Sequence, residues 1–266
     1  MNALPTQLNP SYILPEKYEY DRIVDVKRLH FIRQQVEHLS IYSTILDIGC
    51  GNGVISRFLG GMGFRVLGVD ISEKAIDQAR KLNMWEHVRF EVMHAEKLTM
   101  EGTQFDVIIC SEVLEHLEHP EALLQQINKL LKENGKLIVT VPNGYGPREL
   151  LVTRPTLYIR NHQPMLWKFL LKVKKIMGYS GTTVQSAADR LDHVQFFTRK
   201  QLMNLAKCQG FVITRWGKSN FIEDIFPLSF ITKRIPFLQK LDCDLADLLP
   251  YFCTGGFFMV WEKKGY

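Results

Sequence analysis

The sequence predicts an α/β fold with a parallel sheet covered by helices on both faces. Three observations lead to it. Apolar runs alternate with helical patterns between residues 43 and 142. The runs are apolar at nearly every position, as strands buried on both faces are. A glycine-rich turn, DIGCGNG at 47–53, joins the first run to the first following helix.

The elements follow in order. Ile23, Val24, Leu29, Ile32 and Val36 have helical spacing within 20–38. STILDIG (43–49) reads as a buried strand, followed by the turn and the helix VISRFLGGM. FRVLGVD (64–70) is the second strand. Ser72 is placed to cap SEKAIDQARKL, with Glu73 in its first turn. VRFEVMHA (88–95) and FDVIICS (105–111) are strands three and four. PEALLQQINKLLKENG (120–135) is predicted as a helix with Pro at its first position and Gly past its end. KLIVTVP (136–142) is strand five. Thr198 and Gln201 form a capping box that opens the helix RKQLMNLAKCQG. FVITRWG (211–217) and GGFFMVWEK (255–263) are two closing strands.

Composition places the chain among globular proteins, with 46% apolar and 23% charged residues in 266. No apolar run is long enough to span a bilayer. The N-terminus lacks the basic start and apolar core of a secretory signal. Five scattered cysteines without a CxxC pair favour reduced thiols and a cytoplasmic setting over a disulfide framework or a zinc site. The net charge of +5 is concentrated: 146–192 holds eight Lys/Arg against three Asp/Glu, and the remainder sums to zero. That distribution differs from a uniformly basic nucleic-acid coat.

The turn reads D-x-G-x-G-x-G, with Asp70 about twenty residues on at the end of the second strand. Glycine lets a ligand lie against the backbone, and the free N–H groups of such a turn favour an anionic group. The acidic residue can accept hydrogen bonds from ribose hydroxyls. LDIGCGNG, VLGVDISEKAIDQAR and FDVIICSEVLEHLEHPEALLQQINKLLKENGKLIVTVPN together resemble the class I S-adenosylmethionine-dependent methyltransferases. The similarity is greatest to the branch containing the ubiquinone-biosynthesis O-methyltransferases. It is specific over 41–143 and looser through 193–211. The resemblance implies a Rossmann-like seven-stranded, mostly parallel sheet whose last strand runs antiparallel. It implies S-adenosyl-L-methionine as cofactor, with Gly49, Cys50, Gly51 and Gly53 under its methionine part and Asp47 on its amino group through water. It also implies Asp70 on the ribose, Ile71 against the adenine, Ala95 and Glu96 at the adenine edge, and the Cys110 backbone near the amino group.

SEVLEHLEHP (111–120) follows strand four and faces the expected methyl group. Pro120 breaks any continuous helix here, so one short turn through 112–117 and then a new helix are expected. Three readings stay open. In the first, His116 is a general base with Glu112 orienting it or the acceptor, and His193 is a further candidate. In the second, Glu112, Glu115, His116 and His193 form a metal set resembling that of small-RNA 3′-terminal 2′-O-methyltransferases. In the third, these are polar residues at a helix start.

Four segments are expected: an N-terminal helical arm (1–40), a cofactor-binding core (41–143), a basic helical lid insertion (144–192) and a C-terminal part of the core (193–266). The last carries an apolar insertion at 219–254. In the lid, 164–179 has helical spacing with lysines largely opposite the apolar face. Leu238, Leu241, Leu245 and Leu248 suggest a helix in the apolar insertion. The expected acceptor is a small molecule, sugar or lipid-linked compound, methylated at oxygen. Peripheral membrane contact through the basic lid is a further expectation, and nucleic acid is disfavoured. A non-catalytic relative that binds cofactor without turnover is the remaining alternative.

Overall fold

The computed structural model describes residues 19–20, 22–95, 98, 100, 102–176, 194–222, 225, 232 and 235–264. Glu96 and His193 lie outside them. Seven strands form one sheet: β1 (Thr44–Ile48), β2 (Arg65–Asp70), β3 (Val88–Val92), β4 (Phe105–Ser111), β5 (Leu131–Pro142), β6 (Phe211–Lys218) and β7 (Gly256–Lys263). Their order is β3-β2-β1-β4-β5-β7-β6. β1 to β5 pair in parallel, and β7 runs antiparallel to both β5 and β6. The order reverses between β1 and β4, so a crevice opens beyond the carboxyl ends of these two strands.

Helices cover both faces. On one side α1 (Ile23–Val36), α2 (Val54–Gly61) and α3 (Glu73–Leu82) bury Leu29, Ile32, Val36, Leu59 and Ile76 against Ile45, Val107 and Ile138. On the other, α4 (Pro120–Leu130) and α7 (Arg199–Cys208) bury Leu123, Leu124, Ile127, Leu202 and Ala206 against Leu46, Ile108 and Val139. The two side-chain layers are the apolar faces that the strand runs require. Ser72 Oγ caps α3 by accepting from the Ala75 amide. The Thr198–Gln201 capping box opens α7 as expected.

Two elements depart from the sequence reading. The helix expected over 120–135 ends at Leu130, and β5 starts at Leu131. Leu131 is fully buried and pairs with Phe105, and Lys132 Nζ binds both carboxylate oxygens of Asp106 at 2.9 Å. These contacts pull the segment onto β4 before a register shift leads into Lys136 opposite Val107. Gly135 is therefore no helix cap; a Cβ there would lie 2.8 Å from the Leu131 side chain. The second departure concerns α8 (Pro236–Leu248). Its helix was legible, but its buried face is Gln239, Asp242, Cys243 and Ala246. Leu241, Leu245 and Leu248 are exposed. Asp242 is drawn inward because it accepts the Phe221 and Ile222 amides, and Gln239 because its side-chain oxygen accepts the Ile23 amide.

After β5, the insertion contains a π-helical turn (Glu149–Thr153), α5 (Arg154–His162) and α6 (Pro164–Ile176). Its apolar residues Leu151, Tyr158, Met165 and Phe169 are exposed.

Candidate functional site

The site is built at the carboxyl ends of β1, β2, β4 and β5. The glycine turn leaves β1 and returns as α2. Gly49, Gly51 and Gly53 all have positive φ, at 70°, 54° and 79°. The first two amides of the turn, Gly49 and Cys50, donate to Val69 O at 2.8 and 3.0 Å, so the turn is tied to β2. Gly51 N–H donates to Asp70 Oδ2 and Ser72 N–H to Asp70 Oδ1, each at 2.8 Å. Each Asp70 oxygen keeps acceptor capacity beyond these bonds. Ile71, next in the chain, is 54% exposed although it is apolar.

The need for glycine differs from the sequence reading at two positions. A Cβ on Gly49 would lie 2.4 Å from Val113 Cγ2, and one on Gly53 would lie 2.5 Å from the Phe90 ring. Packing and left-handed backbone already demand glycine there, before any ligand is considered.

Asp47 also plays a structural part. It is 1% exposed, accepts Ser56 Oγ at 2.6 Å and receives the Ser56 backbone as well. It therefore holds the first turn of α2 from inside β1. Burial pushes its pKa up to about 7, against the lowering effect of the Ser56 bonds. Burial likewise raises the Cys50 and Cys110 thiols well above the usual range, so both stay protonated. Cys110 is fully buried at the end of β4. Ala95 follows β3 at the same edge of the sheet.

The segment after β4 has the expected broken shape: a single 3-10 turn, Leu114–His116, then α4 from Pro120. Glu112 is in the left-handed region at φ 56°, the only such non-glycine among the described residues. This turns its side chain toward β5 and α1. Thr140 Oγ1 donates to Glu112 Oε1 at 2.9 Å, and Arg28 Nη1 lies 3.8 Å from the same oxygen. Arg28 Nη1 also donates to Ser111 Oγ, which lies 2.9 Å from Thr140 Oγ1. One polar network thus joins α1, β4 and β5 at the carboxyl edge.

Glu112, Glu115 and His116 are not brought onto one face. Glu115 is 1% exposed, and neither carboxylate oxygen has a hydrogen-bond partner among the described residues. Burial first, then the Glu112 and Glu149 charges, pushes its pKa well up. His116 Nε2 lies 3.9 Å from Glu115 Oε1. The group beside His116 is therefore Glu115, while Glu112 is engaged by Thr140 and Arg28. Among the described residues no group of three His, Cys, Asp or Glu side chains is arranged to hold a metal ion. Val194 and Gln195 donate their amides to Glu115 O, so residues 194–195 are pinned to this turn.

Glu19, Tyr20, Arg57 and Arg28 also border the site. Glu19 pairs with the buried Arg57 of α2, which also donates to Asn52 O in the glycine turn, and Tyr20 packs against the buried cluster that contains Cys50 and Ile55. Burial raises the Tyr20 hydroxyl, partly offset by the Arg28 charge. Arg28 itself stands on the polar side of α1, paired with Asp25 three residues earlier. A charged i, i+3 pair on a helix otherwise facing the core was its only sequence signal.

A larger cleft of about 290 Å³, lined by Leu39, Asp106 and Lys132 to Lys136, opens at the opposite, amino-terminal edge of β4 and β5. Ligands of open α/β sheets bind at the other edge.

S-adenosylmethionine fits the carboxyl edge. An acidic side chain with spare acceptor capacity ends β2, an exposed apolar residue follows it, and a left-handed glycine turn borders both. This sheet order, with its antiparallel β7 and glycine turn, defines the fold of class I S-adenosylmethionine-dependent methyltransferases. The chain belongs to the family described as the methyltransferase domain, which it matches over residues 19–215. It is similar to the ubiquinone biosynthesis O-methyltransferase of Coxiella burnetii, at 33% identity over 123 residues, covering 46% of this chain and 52% of that one. It is also similar to the mitochondrial ubiquinone biosynthesis O-methyltransferase of Schizosaccharomyces pombe, at 34% identity over 149 residues, covering 53% and 52%. The chain spans about half the length of these curated relatives. Among solved structures, a Listeria monocytogenes protein described as a putative S-adenosylmethionine-dependent methyltransferase superposes with a TM-score of 0.58 at 15% identity, covering 91% and 100%. Magnesium protoporphyrin IX methyltransferase of Synechocystis, solved with bound SAH, gives 0.50 at 18% identity, covering 96% and 92%. These likenesses carry the fold alone.

Proposed function

We propose that this protein transfers a methyl group from S-adenosylmethionine to an oxygen of a small, sugar or lipid-linked acceptor. The observation that carries this reading is the joint placement of the glycine turn, Asp70 and Ile71 at the carboxyl edge. Two curated relatives are O-methyltransferases of ubiquinone biosynthesis, which supports oxygen as the accepting atom.

The cofactor, when bound, supplies an electrophilic methyl group on a sulfonium. Asp70 would hold its ribose hydroxyls, Ile71 would cover its adenine, and the turn at 49–53 would lie under its methionine part. Ala95 and Glu96 would sit at the adenine edge and the Cys110 backbone near the amino group. In-line transfer is accelerated mainly by holding nucleophile against methyl, a task for the fixed Arg28–Ser111–Thr140–Glu112 network. Glu112 would position the acceptor hydroxyl and His116 would take its proton, with His193 a further candidate. The lid's exposed Leu151, Tyr158, Met165 and Phe169 suit an acceptor with an apolar part, and its lysines suit contact with an anionic bilayer.

Native mass spectrometry with and without added S-adenosylmethionine tests the reading first. A mass increment for the cofactor or its demethylated product is expected. Labelled methyl transfer onto hydroxylated acceptors follows. No increment under either condition would sink the assignment.

A further inference from the structure

A second, smaller cleft of about 80 Å³ opens at the carboxyl edge, between the start of α1, the ends of β4 and β5, the start of β7 and residues 219–221. Its charged lining is Arg22, Arg28, Arg148, Asp25 and Glu112. Three guanidinium groups and two carboxylates leave one positive charge in a space bounded by buried protein.

The guanidinium groups are not all satisfied. Arg28 donates from Nη2 to Asp25 and from Nη1 to Ser111, while its enclosed Nε–H has no hydrogen-bond partner among the described residues. Arg148 is exposed at the rim, where the lid begins, and makes no ion pair among the described residues. Arginine presents a planar fork that matches carboxylate and phosphate oxygens. The volume suits one such group and is far below that of a whole-ligand pocket. Glu112 stands in the wall, so a group held here is anchored beside the residue proposed to position the acceptor hydroxyl.

We propose that this cleft is an anion subsite, in which Arg28 and Arg148 hold a carboxylate or phosphate borne by the methyl acceptor. The proposal rests on the methyltransferase reading and deepens it. It makes the acceptor an anionic compound and makes these two arginines specificity determinants. The rest of the acceptor then extends from the cleft toward the cofactor.

The test uses the whole protein saturated with S-adenosylhomocysteine. Binding of benzoate, phenyl phosphate and the neutral isostere benzamide is measured by ligand-observed magnetic resonance at constant ionic strength. At least tenfold tighter binding of benzoate or phenyl phosphate than benzamide is expected, and the stronger of the two identifies the head group. Arg148→Gln should abolish the preference. Arg148 is exposed, so this variant should fold, and Arg28→Gln gives a second reading where it folds. Lys172→Gln, which removes an exposed cation of the lid, should keep the preference. Equal binding of all three compounds, no binding of either anion, a preference that survives Arg148→Gln, or one lost equally in Lys172→Gln would overturn the subsite. Failure of S-adenosylhomocysteine itself to bind would instead overturn the methyltransferase reading, because that binding is measured separately.

Discussion

The backbone N–H of Gly51 donates to Asp70 Oδ2 at 2.8 Å, so the middle of the glycine turn is fastened to the last residue of β2. Two sequence features separated by nineteen positions are thus one physical unit. Ser72 completes it by donating to the other oxygen. The carboxylate sets the shape of the turn, and both its oxygens keep further acceptor capacity. Asp70→Asn presents an amide where two backbone donors and, in the proposed site, two ribose hydroxyls all need acceptors. A hydrogen bond to a charged group contributes about 1.5–3 kcal/mol. S-adenosylhomocysteine affinity should therefore fall by about tenfold to a hundredfold, read by calorimetry. Unchanged affinity would remove Asp70 from the cofactor site.

Gly53 gives a prediction about stability that involves no ligand. Its φ of 79° costs a non-glycine residue roughly 1–2 kcal/mol. Its absent Cβ would also lie 2.5 Å from the Phe90 ring. Gly53→Ala should thus lower the urea midpoint by more than the backbone term alone. Adding Phe90→Leu should recover the steric part and leave the backbone part. Full recovery in the double variant would show that the backbone strain is negligible.

The strand–helix alternation was legible because both faces of the sheet are covered, so Ile45, Leu46, Val107, Ile108 and Ile109 are all buried. The turn and Asp70 were legible because their roles are local. The end of α4 was not, since Leu131 continues a helical apolar stripe yet is captured by Phe105 and by the Lys132–Asp106 pair. Nor was the orientation of α8: its leucines advertise a buried face, but Gln239 and Asp242 win it by satisfying distant backbone amides. The Arg28 network was invisible for the same reason. It joins α1 to β4 and β5, and no periodicity encodes a contact across 83 residues.

Asp47 predicts a pH dependence. Burial lifts its carboxyl from the model-compound 3.8 to about 7. Between those values the folded protein holds a proton that the unfolded chain has released. Stability contributed by the protonated form is therefore present at low pH and lost as pH rises through this window. The loss is at most on the order of a few kcal/mol, since one pKa unit corresponds to about 1.4 kcal/mol. Glu115 shifts in the same direction, so the comparison is made in a Glu115→Gln background. There, the unfolding free energy relative to that of the Asp47→Asn variant should decline from pH 4 to 7 and level off above about 8. A flat difference across the range would mean that Asp47 is ionised in the folded protein throughout.

The proposed division of labour between Glu112 and His116 has a kinetic signature. Glu112 is held by Thr140 at 2.9 Å and faces the arginine-lined cleft, whereas His116 stands 3.9 Å from the buried Glu115. Removing a general base typically costs about 10²- to 10⁴-fold in rate, and a residue that binds substrate and transition state alike changes KM instead. His116→Asn should lower kcat by about a hundredfold or more. Glu112→Gln should chiefly raise KM and leave kcat within a few-fold. Thr140→Val should act in the same direction as Glu112→Gln but more weakly, because it frees the carboxylate without removing it. If Glu112→Gln lowers kcat about a hundredfold while His116→Asn leaves it in place, the base is Glu112, and the left-handed backbone at that position serves to aim it at the acceptor.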